Sequence, residues 1–279
     1  MVTKLTVGLN LNSWRNNMFW RLLIFIVLSF PTFAQQGRLV WSDEFDGESG
    51  APNPELWSYE YGDGCPNNCG WGNHEIQYYT DALKNAHVEN GLLVIEAHKE
   101  MMGGMQYTSA KLNSKKSGSW KFGRIDVRAR IPQGLGTCPA IWMLPTDWKY
   151  GGWPLSGEID IMEHVGWTKD TLYGTVHTDA YNHMNGTQKG RKFFQNEMGL
   201  RFHTYSIIWS EEKIDFLLDD KVYYTFANDG KGSSSWPFDQ PFYLILNISV
   251  GGNFGGARGV EGENIWPQRM EIDYVRVYQ

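Results

Sequence analysis

Cysteine is scarce: among 279 residues only Cys65, Cys69 and Cys138 occur. Three thiols cannot build the dense bridge framework that holds small secreted domains together, so the fold must depend on an apolar core. Zinc-type spacings, in which a CxxC or HxxxH pair meets a matching partner, are missing as well. Positive charge is not in surplus either, because 25 Lys and Arg stand against 31 Asp and Glu, a formal charge of -6. A surface without a basic excess has little to neutralise phosphates or anionic headgroups, which excludes nucleic acid as a main partner. Apolar runs are short, and few stretches keep the helical period over three turns.

What is abundant is aromatic side chains and glycine: 13 Trp, 14 Tyr, 14 Phe and 31 Gly. That pairing suits a turn-rich β-sandwich with an aromatic-lined groove, although aromatics also fill cores. Alternating or apolar runs bounded by Gly, Asn, Asp and Pro predict strands at 92–97, 123–131, 158–164, 205–209, 213–218, 222–226, 242–250 and 270–278. No repeat, linker or shift in composition interrupts residues 35–279, which read as one all-β domain of two antiparallel sheets.

The segment 18–34, MFWRLLIFIVLSFPTFA, has the layout of a signal peptide: Arg21 supplies charge, Leu22 to Phe30 the apolar stretch, and Ala34 a small residue for cleavage. Residues 1–34 are therefore expected to be an N-terminal extension and leader, with Met18 as an alternative start. The stretch is too short to span a bilayer, so the mature protein is expected to be soluble, secreted or periplasmic, and monomeric. In an oxidising compartment Cys65 and Cys69, in the tight CPNNC loop, are placed to pair and leave Cys138 free.

Chemistry concentrates in GEIDIMEH, residues 157–164, where Glu158, Asp160 and Glu163 interrupt an apolar run. Strand side chains alternate faces, so Glu158 and Asp160 share one face while Glu163, three residues further, points away unless a bulge intervenes near Ile161 and Met162. With a bulge, three acids line one groove. Mutual repulsion then keeps at least one protonated beside an ionised neighbour, the asymmetry that glycoside hydrolysis uses. In the retaining mechanism one carboxylate attacks the anomeric carbon and the other, about 5 to 5.5 Å away, protonates the leaving oxygen and later activates water. Alternative readings of the strand, a calcium site or a solvated polar face, sit poorly with Ile159, Ile161 and Met162.

This strand resembles the E-x-D-x-x-E signature of glycoside hydrolase family 16, and the resemblance runs through LVWSDEFDG (from Leu39), WGNHEIQYYT (from Trp71), AIWMLP (from Ala140), NISVGGNFGG (from Asn247) and EIDYVRVYQ (from Glu271). It implies a β-jelly-roll sandwich with an open substrate groove, and the segments look most like bacterial laminarinases, endo-β-1,3-glucanases. On that resemblance Glu158 is the nucleophile, Asp160 its assistant and Glu163 the acid/base. Trp142 and Trp153 match positions where the family stacks sugar rings, as the apolar face of a pyranose favours. Asn73, Glu75, His177, Asn247 and Lys111 are expected to bond glucose hydroxyls. Two positions depart from the common pattern: Lys111 stands where many relatives carry Arg, and Phe254 where Trp is common. The family also implies a structural calcium held by the carbonyls of Glu44 and Gly91 and the carboxylate of Asp273. No cofactor is expected for catalysis.

The expected substrate is therefore laminarin-type β-1,3-glucan, with mixed β-1,3-1,4-glucan also considered. Agarose, porphyran or carrageenan is the alternative within the same mechanism, and a β-glucan-binding protein without activity is the alternative outside it. Retention of all three acids argues against the second, and few Arg and Lys near Trp142, Trp153 and Asn247 argue against a sulfated chain.

Overall fold

A computed structural model describes residues 37–260, 262 and 266–279; the expected leader, 1–34, lies outside the described residues. The first seven strands are β1 (Leu39–Asp43), β2 (Ser58–Glu60), β3 (Gln77–Tyr79), β4 (Ala86–Glu89), β5 (Leu92–Met102), β6 (Met105–Ser109) and β7 (Lys111–Asn113). The central strands are β8 (Gly123–Arg130), β9 (Thr137–Pro145), β10 (Glu158–His164), β11 (Thr171–His177) and β12 (Lys189–Phe194). The last five are β13 (His203–Trp209), β14 (Lys213–Leu218), β15 (Lys221–Ala227), β16 (Phe242–Val250) and β17 (Gln268–Tyr278).

These strands form two sheets. One has ten strands, ordered β15-β14-β13-β8-β17-β5-β6-β3, with β1 on β17 and β4 on β5; the other has seven, ordered β12-β11-β10-β9-β16-β7-β2. All pairings are antiparallel except β3 with β6. Sheets of this size are each apolar on one face, and they bury those faces against one another. Ile125 and Val127 of β8, Leu93 and Ile95 of β5 and Ile272 of β17 meet Ile141 and Met143 of β9, Ile159 of β10 and Leu244 and Leu246 of β16 in one core. Tight hairpins close the sheets, as between β4 and β5, where Asn90 and Gly91 take φ of 53° and 75°, a left-handed pair that glycine accepts without strain. The Cys65–Cys69 bridge is formed and Cys138 is free and buried.

The seven-stranded sheet turns its second face outward, and strand register sorts that face into rows. Glu163 faces Ala140 on β9, which faces Asn247 on β16, which faces Lys111 on β7, which faces Glu60 on β2. The next row runs from Asp160 to Trp142 to Ile245, and beyond it Glu158 faces His177 of β11.

Candidate active site

The expected bulge is present. Against β11 the register of β10 slips between Asp160 and Glu163, and against β9 between Asp160 and Met162. Ile161 and Met162 consequently both enter the core, 1% and 0% exposed, and Glu163 returns to the outer face with Glu158 and Asp160. The apolar residues of one short strand thus fix the three acids in a line.

Each acid has a distinct environment. Glu158 accepts a hydrogen bond from Trp153 Nε1 at 2.5 Å. Asp160 is buried, and its Oδ2 lies 3.3 Å from His177 Nε2. Burial holds the Asp160 proton well above the usual carboxylate range, reinforced by the charge of Glu158 and by a hydrogen bond that protonated Asp160 donates to it. Glu163 is also pushed well above its ordinary value, first by burial and then by repulsion from Asp160, while His177 opposes the shift. One acid that keeps its proton beside another bonded by an indole N–H is the division of labour that acid-assisted displacement requires.

The expected binding residues gather around this line. Trp142 is half-buried and its Nε1 donates to Asn247 Oδ1 at 2.7 Å. Asn247 in turn donates to the Tyr79 hydroxyl at 3.0 Å, so both ends of its amide are engaged by protein and its observed work is to fix the Trp142 ring. Lys111 is likewise committed: its Nζ pairs with Glu60 at 2.9 Å and lies 4.1 Å above the Trp71 ring and 5.0 Å from that of Trp142. Asn73 Nδ2 donates to Glu75 Oε1 at 3.3 Å and Gln77 Nε2 to Glu75 Oε2 at 2.7 Å. Burial raises the Glu75 pKa, although Gln77, Lys111 and Asn73 all favour its ionised form. The loop carrying these residues is tied to the end of β16 by the Glu75–Gly251 bridge. Phe254 packs edge-on to Tyr173 and Trp167, beside Cys138.

Two neighbours were not legible as site residues. His183, in the short 3-10 turn His183–Asn185, lies against both Trp153 and His177, with ring centroids 5.0 and 5.1 Å away. Cys138 Sγ lies 3.9 Å from Glu163 Oε1. A turn motif and a solitary cysteine offered no periodicity or spacing from which contact with the acids could be read.

Of the expected calcium ligands, Asp273 lies on β17 of the other sheet, Glu44 follows the end of β1, and Gly91 sits in the turn between β4 and β5. Asp273 sits where β17 slips register between Ile272 and Tyr274. Two carbonyls and a carboxylate are donors of the kind calcium takes. The Asp273 carboxylate, however, already accepts from Arg128 Nη1 at 2.5 Å, so a guanidinium meets its charge.

A jelly-roll sandwich with carboxylates aligned on an outward strand and aromatic side chains beside them defines a glycoside hydrolase. The family model of glycosyl hydrolases family 16 matches residues 67–276, and the chain belongs to that family. It is 50% identical over 254 residues to a protein called beta-glucanase from Rhodothermus marinus, covering 88% of this chain and 86% of that one. The solved laminarinase from Rhodothermus marinus superimposes with a TM-score of 0.83 at 49% identity, covering 87% and 97% of the two chains. The laminarinase from Flavobacterium sp. UMI-01 gives 0.78 at 42% identity, covering 87% of this chain and all of its own, 100%.

Proposed function

We propose that this chain is a retaining endo-glycosidase that hydrolyses β-1,3-glucan of the laminarin type. The observation that carries the reading is the bulged β10, which brings Glu158, Asp160 and Glu163 to one face with Trp153 bonded to Glu158. The names of the two laminarinases and of the beta-glucanase support the substrate class. In the first step Glu158 Oε attacks the anomeric carbon while Glu163 delivers its proton to the glycosidic oxygen, and the leaving chain departs with that proton. In the second, Glu163, now ionised, takes a proton from water, the oxygen of that water bonds the anomeric carbon, and the ester to Glu158 breaks. Asp160, carrying its proton, donates to Glu158 and steadies it for attack and departure. Trp142, held by Asn247, and Trp153 offer flat apolar faces to the sugar rings.

The protein is further proposed to act as a monomer, with residues 1–34 as a leader and 35–279 as the catalytic domain. Among the described residues no helix is long and apolar enough to cross a membrane. A calcium at Glu44, Gly91 and Asp273 would be purely structural and would contend with Arg128, which already bonds Asp273 Oδ2.

Reducing-end release from laminarin, barley mixed-linkage glucan and agarose, with Glu158→Gln in parallel, tests the proposal. Laminarin cleavage that the variant loses is expected. Cleavage of agarose alone, or glucan binding with no cleavage, would overturn it.

A further inference from the structure

We propose that the active site also holds a borderline divalent transition cation, with Zn2+ as the type, between Glu158, Asp160 and His177, and that this ion reversibly blocks the groove. Register provides the juxtaposition: His177 on β11 stands directly opposite Glu158 on β10, and Asp160 follows on the same face. One donor atom from each of the three residues lies within 4.8 Å of the other two. Zinc bonds of about 2.0–2.2 Å in a tetrahedron separate neighbouring ligand atoms by roughly 3.4 Å. The Asp160 Oδ2 to His177 Nε2 distance is 3.3 Å, so that edge is already in place.

Burial points the same way. Asp160 and His177 are 2% and 6% exposed, and Asp160 Oδ2 has no hydrogen-bond partner although it faces this space. Trp153 bonds one oxygen of Glu158, and the hydrogen bond that protonated Asp160 donates to Glu158 ends once Asp160 gives up its proton to the ion, which frees the carboxylate to bind it. One imidazole nitrogen with two carboxylate oxygens suits Zn2+, Co2+ or Cu2+, whereas Ca2+ and Mg2+ seek six or more oxygens, several of them water.

The same geometry sets a limit on affinity. Imidazoles of resident metal sites donate their second N–H to a fixed acceptor, but His177 Nδ1 has no partner. Without that support the ion exchanges, so it acts as an inhibitor and not as a cofactor. With three protein ligands its remaining position faces the groove, where it excludes the sugar and occupies the oxygen that Glu158 needs for attack.

Calorimetric titration of the full chain with ZnCl2 tests binding without reference to any activity. One ion per chain is expected at this site, and Co2+ in its place should show the visible absorption of a tetrahedral centre. His177→Ala and Asp160→Asn should each weaken Zn2+ at least tenfold, while Cys138→Ser and the surface variant His98→Ala leave it unchanged. CaCl2 and MgCl2 at equal concentration should not displace the ion. Undiminished binding in both His177→Ala and Asp160→Asn, or loss only in Cys138→Ser or His98→Ala, overturns the assignment. The blocking half rests on the proposed function: laminarin hydrolysis should fall with zinc occupancy and return with EDTA. A protein that binds zinc here yet never cuts laminarin would sink the function and leave the site standing.

Discussion

Trp153 Nε1 donates to Glu158 Oε2 at 2.5 Å, and the same indole lies against His177 and His183. One side chain thus both fixes the proposed nucleophile and shapes the surface beside it that is proposed to meet the sugar. Hydrogen bonds to charged groups contribute about 1.5–3 kcal/mol, and 1.4 kcal/mol is roughly tenfold in rate. Trp153→Phe keeps an aromatic face but loses the N–H, so kcat on laminarin should fall about tenfold or more while KM moves less. Trp153→Ala should impair both. Equal kcat in Trp153→Phe and the parent would show that the bond does not matter.

The contact of Cys138 Sγ with Glu163 Oε1, 3.9 Å, bears on the proposed acid/base. Burial and the charges of Glu163, Glu75 and Asp160 push the Cys138 thiol up, so it is present as a weak S–H donor. A serine hydroxyl donates more strongly and favours ionised Glu163; alanine donates nothing. The basic limb of the kcat/KM profile, where Glu163 loses its proton, should therefore move to lower pH in Cys138→Ser and to higher pH in Cys138→Ala. Shifts in the same direction in both variants would point to packing instead.

The strands most legible in the sequence were those with unambiguous alternation or continuous burial. β10, β14 and β16 begin and end where the pattern placed them, at Glu158–His164, Lys213–Leu218 and Phe242–Val250. β5 continues to Met102, five residues past the expected end, because its outer half pairs with β6 and is exposed, so no apolar signal marks it. β9 was missed although it flanks the acids: TCPAIWMLP is buried almost throughout and shows no alternation. β12, KGRKFF, is a polar edge strand that exists through its pairing with β11. The three acids could be found because charge inside an apolar strand is costly and must be accounted for. The engagement of Asn247 with Trp142 and Tyr79 could not, since those partners are 105 and 168 residues away.

Buried acids leave a mark on stability as well as on rate. Glu163 and Asp160 hold their protons at higher pH in the folded chain than in the unfolded one. Their contribution is fully present below the unfolded carboxylate pKa and is lost as pH rises through the raised folded value. Replacing Glu163 with a neutral amide removes that loss. Glu163→Gln should thus melt higher than the parent at pH 7, by about 2–4 °C for each kcal/mol relieved, and close to it at pH 4. Calorimetric melts at the two pH values decide; an equal difference at both would mean the gain came from something other than the buried charge. The more stable variant should be inactive on laminarin.

The calcium proposed at Asp273 would meet a carboxylate whose Oδ2 already accepts from Arg128 Nη1. The Arg128–Asp273 pair is about one-third exposed on both sides, 39% and 34%, and exposed pairs contribute little, roughly 0–1 kcal/mol. A calcium ion that also gains the Glu44 and Gly91 carbonyls would outweigh it, because a ligand that binds only the folded chain stabilises by about 2.7 kcal/mol at one hundred times its Kd. Adding CaCl2 after EGTA should therefore raise Tm in the parent. Arg128→Ala, with the guanidinium gone, should reach the same rise at a lower calcium concentration, and Asp273→Asn should abolish it. If calcium leaves all three unchanged, Arg128 is the lasting partner of Asp273 and this family member keeps its sandwich together without the metal.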